Sequence, residues 1–440
     1  METLKDRIRS IEPLRLILRA FRYRNYRLFF GGQSISLIGT WMQQIAMSWL
    51  VYRMTGSVFL LGVVGFASQI PVSILAPFAG VLADRWDRYR ILIATQALAM
   101  AQAVVVYLLV ATGRIEVWQI VGLSVFLGVV NAFDVPARQA FVFDLVERRE
   151  ELGNAIALNS LMFNAARLVG PSVAGMMIAI SGEKTCFLVN AVSYSIVIIA
   201  LFAMRLAPMK AVRHDSHIIH GLKEGIVYAL RSVPIRSILL LLGLISLAGV
   251  PYAVLMPVVA TEILGGGPQV FGFLVAASGL GALIGALYLA SRRTIVGFGS
   301  MIALAAGLFL FSLSRVLILS LALMVLVGLS MMVQIASSNT ILQTIVDDDK
   351  RGRVMSFYTM AFLGTAPFGS LLVGGLASRI GVPYTLMIGG IACVAGSVLF
   401  AINLPSLRKA IHPIYARMGI VAEVSTGIQS ASELIRPPED

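Results

Sequence analysis

Hydrophobic residues run along this chain in long blocks, each closed by a short polar or charged stretch. An α-helix needs about 20 mostly apolar residues to cross a bilayer core. Twelve blocks reach that length, at residues 29–53, 58–82, 91–112, 116–135, 152–179, 184–205, 236–263, 268–291, 295–314, 316–346, 353–379 and 383–404. The pattern predicts an all-α membrane protein with twelve transmembrane helices in two six-helix bundles. The expected order is a basic arm over 1–28, a bundle over 29–206, a connector over 207–235, a second bundle over 236–404 and a tail over 405–440. Within the connector, HIIHGLKEGIVYALRSVPIR reads as an amphipathic helix lying along the membrane surface.

Composition agrees with lipid as the solvent. Hydrophobic residues make up 58% of the 440 and charged residues 13%, with a mean hydropathy of +0.87. The formal charge of +13 invites a nucleic-acid partner, but its distribution argues otherwise. Of the 35 Lys and Arg, 29 fall in the arm, connector, tail and loops of one side, 5 on the other side, and Arg167 inside a span. Cytoplasmic segments collect Lys and Arg, so both termini are expected in the cytoplasm. The basic balance then reports anionic lipid headgroups rather than nucleic acid. Cys186 and Cys393 lie in apolar spans, so no disulfide framework is expected. His214, His217 and His220 lack Cys or carboxylate support, which fits a solvated loop better than a metal site. Asp347, Asp348 and Asp349 read as the solvated cap of the next helix. The spans show no nucleophile elbow or phosphate-cradling loop. No metal, cofactor or enzymatic activity is expected.

The stretch from Asn131 to Gly175 holds the charges that need explaining. Arg167 falls deep in a span, where an ionised side chain costs roughly 2.5–3.5 kcal/mol on insertion scales and so marks a functional candidate. Two readings are open: it binds an anionic group of a substrate, or it holds a network with Asn159, Asn164 or a carbonyl. A guanidinium keeps its proton, so proton coupling needs another carrier. Asp134 lies in the fourth span near its cytoplasmic end, and Arg138 one turn later would hold it ionised. That favours a structural or gating ion pair, with a proton site as the second reading. The halves also repeat weakly. Gly153, Phe163, Gly170 and Gly175 are matched by Gly352, Phe362, Gly369 and Gly374 at an offset of 199. Such repetition is characteristic of transporters built from duplicated bundles.

Between the second and third spans, GVLADRWDRYR packs charge into a short loop. It resembles the loop motif of the major facilitator superfamily, Gly-x-x-x-Asp-Arg-x-Gly-x-x-Arg. Gly80, Asp84, Arg85 and Arg90 match, and Asp87 stands where the family has Gly. The resemblance implies that Asp84 gates the cytoplasmic side, with Arg138 as a partner; a topology anchor alone is the other reading. The second-half counterpart, Ser291-Arg292-Arg293, is degenerate, so a one-sided lock is expected. In the fifth span, ARLVGPSVAG resembles the fifth-helix motif of drug exporters in that superfamily, Gly-x-x-x-Gly-Pro-x-x-Gly-Gly. Gly170, Pro171 and Gly175 match, while Ala166 and Ala174 replace glycines. Small residues let helices approach closely, and Pro171 permits a bend. With FRYRNYRLFFGGQSISLIGTWMQQIAMSWLVYRMTGS, these stretches resemble the enterobactin-export and macrolide-efflux branch over about 20–404. The resemblance implies alternating access, a monomer in a bacterial inner membrane, and export driven by the proton gradient.

Polar stripes mark where a cargo would sit. In the first span Gln33, Ser36, Thr40, Gln43 and Met47 share a helix face, and in the fifth Asn159, Phe163 and Arg167 do, with Asn164 beside them. The second half offers Tyr252, Met256, Gln334, Ser338, Tyr358, Phe362 and Thr365. A lining of polar, aromatic and adaptable Met side chains suits amphipathic ligands. The alternative is that these groups satisfy one another between helices. A neutral-to-positive cavity predicts a small amphipathic cargo that is neutral or anionic, such as a catecholate siderophore, ahead of a lipophilic cation. A lipid or lysolipid flippase of the same fold is the second reading. The expected partners are the cargo, protons and membrane lipids.

Overall fold

The structure is a computed structural model that describes residues 19–146, 148, 151–205, 228–229, 231–291, 298–346 and 348–417. The arm before Arg19, most of the connector with its three histidines, Asp347 and the tail beyond Arg417 lie outside the described residues. So do the side chains of Asp84, Arg85, Asp348 and Asp349.

The described chain is helical throughout. Its first part holds α1 (Arg24–Thr55), α2 (Val58–Arg85), α3 (Arg88–Ala111), α4 (Val117–Asp144), α5 (Leu152–Ser181) and α6 (Glu183–Phe202). The second part opens with α7 (Val233–Leu244) and α8 (Tyr252–Val258), each followed by a π-turn, at Ile245–Gly249 and Val259–Ile263. It continues with α9 (Pro268–Ala290), α10 (Phe298–Leu313), α11 (Leu317–Ile345), α12 (Asp348–Leu363), α13 (Ala366–Ile380) and α14 (Val382–Arg417). Among the described residues, 10 helical stretches are long and apolar enough to cross a membrane. Two more helices stand where spans are expected. One is α1, whose apolar character is diluted by Gln33, Ser34, Ser36, Thr40, Gln43 and Gln44. The other is α10, whose apolar part is Ile302–Leu313.

Boundaries differ from the sequence pattern where backbone chemistry intervenes. The helix expected over 353–379 is broken, because Pro367 in the first turn of α13 has no N–H for the Leu363 carbonyl. Ser73 of α2 donates its hydroxyl to that carbonyl at 2.8 Å, and Ser246 donates to the Phe362 carbonyl. The helix expected over 236–263 carries Pro251 and Pro257. A proline ring clashes with the carbonyl four residues earlier, and the widened turn at Ile245–Gly249, just before Pro251, accommodates it. The last helix runs on past 404, to Arg417.

Within the first part, α1 packs on α5 and α6, α2 on α4, and α3 on α4 and α6; within the second, α9 packs on α11, and α10 on α11 and α14. Two long crossings join the parts: α2 with α13, and α5 with α9. Both are backbone contacts made possible by glycine. A Cβ on Gly62 would lie 2.7 Å from the Ser370 carbonyl oxygen and 3.0 Å from Gly374 Cα. A Cβ on Gly175 would lie 2.6 Å from the Pro268 carbonyl oxygen and 3.1 Å from Gly272 Cα. All four glycines sit within two turns of the end where α2 and α9 begin and α5 and α13 finish.

Polar contacts also divide by end. At the glycine end, Arg53 pairs with the buried Glu183, and the Tyr52 hydroxyl donates to Glu262 Oε1 at 2.6 Å, from the first part to the second. At the opposite end, among the described residues, Arg22 pairs with Glu151 at 2.7 Å and Arg88 with Asp144 at 3.1 Å, both within the first part.

The tightest crossing lies inside the second part, where a Cβ on Gly328 of α11 would fall on the Ser278 carbonyl of α9. Overpacking of this kind costs about 1–3 kcal/mol. Gly328→Ala is therefore expected to lower the thermal midpoint in detergent by several degrees, whereas Gly122→Ala, with open space around its Cβ, melts with the wild type. Equal melting of the two variants would contradict the packing of α9 on α11.

Candidate functional site

Arg167 lies at the seam between the parts. It projects from α5 where Gly279 of α9 packs on its own carbonyl: a Cβ on Gly279 would be 2.8 Å from the Arg167 oxygen. The half-buried guanidinium stands over the Trp41 ring, 5.9 Å from Cζ to centroid. Its Nη2 donates to Ser278 Oγ at a long 3.4 Å. Ser278 shares a 2.7 Å hydrogen bond with the Tyr252 hydroxyl, and both are buried. Phe163, one turn before Arg167, meets Trp41 edge-to-face at 6.0 Å and is 44% exposed. The result is a cation between the Trp41 ring of the first part and the Ser278–Tyr252 hydroxyl pair of the second. Cation–π attraction offsets about 0.5–2 kcal/mol of the cost of desolvating the charge. A guanidinium carries five N–H donors in a planar fork. Among the described residues it meets one long hydrogen bond and one ring, an arrangement able to receive the oxygens of a ligand.

The motif glycine beside it has a local role. A Cβ on Gly170 would press on Trp41 Cβ and lie 3.0 Å from the Ile38 carbonyl, so Gly170 brings α1 against α5 and sets Trp41 under Arg167. Pro171 presents its carbonyl to Gly272 of α9. The motif is thus a packing device for both neighbours of α5.

Asp134 is buried between α4 and α3. Its Oδ1 accepts from Thr95 Oγ1 at 2.9 Å and from Gln96 Nε2 at 2.8 Å, and its Oδ2 lies 3.5 Å from Arg138 Nε. A carboxylate in this setting is satisfied on both oxygens. Arg138 is engaged by Asp134, its neighbour in α4; the side chain of Asp84, its expected partner, lies outside the described residues. In the same loop, Asp87 caps α3 by accepting from the Tyr89 amide at 3.0 Å. A carboxylate cap suits a helix N-terminus, which accounts for Asp at the family's Gly position. Arg90 pairs with Asp87 at 3.4 Å and is otherwise exposed.

Among the described residues, the other candidates show no hydrogen bond to Arg167. Gln43 sits in a buried chain across three helices: Asn190 Nδ2 donates to it at 2.7 Å, and it donates to Gln102 at 2.8 Å. Thr40 donates to the Ser36 carbonyl at 2.9 Å and lies 3.4 Å from the Tyr194 hydroxyl. Asn164 is buried and donates back to the Ser160 carbonyl at 2.9 Å. Gln33 and Met47 are buried, and Asn159 is half-buried. Gln334 accepts from Ser300 and donates to Ser338, both at 3.1 Å. Tyr358 donates to the Ile335 carbonyl at 3.1 Å, and Phe362 packs at the helix break. The structure therefore brings together Arg167, Phe163 and Tyr252, and adds Trp41 and Ser278. Sequence offered little for these two: Ser278 lies in the small-residue run AASGLGALIG, where a serine reads as packing.

Comparison of the sequence places this helical membrane chain, with its paired crossings and a cation at the seam, among the transporters of the major facilitator superfamily. The sequence profile described as transmembrane secretion effector matches residues 17–418, and the chain belongs to that family. It is 27% identical to a staphyloferrin A transporter of Staphylococcus aureus, over 85% of this chain and 95% of that one. It is 22% identical to macrolide efflux protein A of Streptococcus pyogenes, over 85% and 96%. It is 27% identical to the multidrug efflux pump Tap of Mycobacterium tuberculosis, over 83% and 90%. The family and these relatives are efflux-type transporters, not enzymes. Among solved structures, a peptide transporter in complex with sulfate shares the fold at TM-score 0.72 and 12% identity, over 88% of this chain and 96% of that one. An inward-facing, occupied bacterial homologue of the lysosomal transporter Spinster does so at 0.69 and 12%, over 88% and 98%.

Removing one member of a buried ion pair leaves a charge without compensation and costs about 3–5 kcal/mol. Arg138→Ala is expected to destabilise the protein at the low end of that range, since Arg138 keeps 17% side-chain exposure. Adding Asp134→Asn should restore most of the loss, because an amide oxygen still accepts from Thr95 and Gln96. Thermal unfolding of both single variants and the double variant checks the coupling; additive losses would refute it.

Proposed function

We propose that this protein exports small amphipathic molecules, neutral or anionic, by alternating access. The observation that carries the reading is Arg167, held at the seam by a ring and a hydroxyl and half-open to a ligand. Efflux relatives named for a siderophore and for macrolides support the class of cargo. In this reading α1 and α10 complete a set of twelve spans in two six-helix bundles, with both termini cytoplasmic and the chain monomeric. The glycine end is then the outer side, where Tyr52–Glu262 and the glycine crossings close the bundles on each other. The opposite side faces the cytoplasm and admits cargo. Arg167 binds the anionic or oxygen-rich end of the cargo, and Trp41, Phe163 and Tyr252 receive its apolar body.

Proton antiport supplies the driving force in this proposal. Asp134, with each oxygen engaged, serves as a fixed ion pair that ties α3 to α4, and Asp84 acts in the cytoplasmic gate. Membrane lipids solvate the outer faces of both bundles. The second reading, a lipid or lysolipid flippase, shares the fold and the cation.

Inverted membrane vesicles test the choice. With a catecholate siderophore as cargo, Arg167→Ala is expected to abolish substrate-dependent proton movement, and Arg167→Lys to retain a fraction, since Lys keeps the charge but not the planar fork. Undiminished transport of every anionic cargo by Arg167→Ala would sink the assignment. A response to lysolipid alone would select the flippase.

A further inference from the structure

At the end opposite the glycine crossings, a cavity of about 480 Å³ opens between the last turns of α11 and the start of α12. That volume lies within the range of about 300–1,000 Å³ usual for small-molecule sites. Its lining is polar in a chain that is otherwise poor in polar groups: Asn339, Thr340, Gln343, Thr344 and Arg351, with Ala336. The hydrogen bonds sort these side chains by role. Thr340 donates its hydroxyl proton to the Ala336 carbonyl at 2.9 Å, and Thr344 donates to the Thr340 carbonyl at 2.8 Å. Both hydroxyls therefore offer the cavity oxygen lone pairs. Gln343 Nε2 donates to Asn339 Oδ1 at 2.5 Å, which leaves the Asn339 amide N–H groups and the Gln343 carbonyl oxygen facing other partners. Arg351 is the one charged member of the lining, and it is cationic.

We propose that this groove binds the hydroxylated carboxylate end of a small organic acid before the acid reaches Arg167. Arg351 and the Asn339 amide meet the carboxylate, while Thr340, Thr344 and the Gln343 carbonyl accept the ligand's own hydroxyl protons. Donors on one side and acceptors on the other distinguish such an acid from a bare anion and from a neutral ester. The inference rests on the exporter reading, in which this end faces the cytoplasm, and gives that exporter a loading site separate from the seam. An anionic lipid headgroup presents the same chemistry from a different source.

Alkylation of a single introduced thiol tests it on the full chain in nanodiscs. Ala336→Cys places the thiol in the groove at a lining residue with no assigned ligand contact, and the native Cys186 and Cys393 are buried at 0% and 1% exposure. The probe is 2,3-dihydroxybenzoate, with its methyl ester as the control. The acid is expected to slow alkylation and the ester to leave it unchanged. Protection should persist with Arg167→Ala. It should need about tenfold more acid with Arg351→Gln, as fits the loss of a charge-assisted hydrogen bond. Arg351→Lys should recover part of the protection, which a merely misfolded groove would not. Absence of protection, or equal protection by the ester, overturns the groove; if export of the acid continues, the exporter reading still stands. Protection without any export of the acid removes the exporter reading and leaves the groove as a binding site. Protection by phosphatidylglycerol nanodiscs alone, without the acid, assigns the groove to a lipid headgroup and overturns its loading role.

Discussion

Contact of backbone with backbone is the constraint on which this structure depends. Helices in lipid gain little from burying apolar side chains against one another, since lipid tails are equally apolar, so close packing has to supply the association. Gly62 with Gly374 and Gly175 with Gly272 bring the two parts together where side chains would hold them apart. Side chains join the parts beside these crossings: Trp49 stacks with Phe271 at 6.4 Å, and Phe66 meets Phe368 edge-to-face at 5.8 Å. The position of Arg167 follows: it extends from the same helix face that Gly279 approaches, and so comes to rest beside Ser278 and Tyr252 of the other part.

Duplication shows how the same place can be filled with or without charge. Asp134 with Thr95, Gln96 and Arg138 has a second-half counterpart in Gln334 with Ser300 and Ser338. Each is a group on the fourth helix of its half, bonded to the third helix and to its own next turn. The second copy is neutral. A buried ion pair repays its desolvation only with good geometry and further hydrogen bonds, and both oxygens of Asp134 have them. The charged copy holds Thr95 and Gln96 at 2.9 and 2.8 Å and the amide copy its partners at 3.1 Å, so a neutral side chain can make the same kind of tie.

Part of this was legible in the sequence because lipid imposes simple rules. The all-helical, membrane-spanning character follows from the cost of exposing polar groups to hydrocarbon, and the same cost drew notice to Arg167. Packing partners were not legible. Gln43 and Arg167 are both polar residues on expected lining faces, yet one closes an amide chain with Asn190 and Gln102 and the other lies at the seam. Sequence gives the face of a helix but not the neighbour it meets. The breaks near Pro251 and Pro367 were signalled by proline, but an apolar run on both sides concealed them from a pattern that counts hydropathy. Asp87 departs from the family motif and still serves locally, as the cap of α3.

The Leu363 carbonyl has a consequence of its own. Pro367 strips it of its helical partner, and a hydroxyl from the opposite part, Ser73, takes that place. Any motion that separates α2 from the break between α12 and α13 takes that hydroxyl from the carbonyl, and a bare carbonyl facing hydrocarbon costs several kcal/mol unless something replaces it. Water is the obvious replacement. Separation at this break is therefore tied to the arrival of a new donor, and its departure must accompany closure.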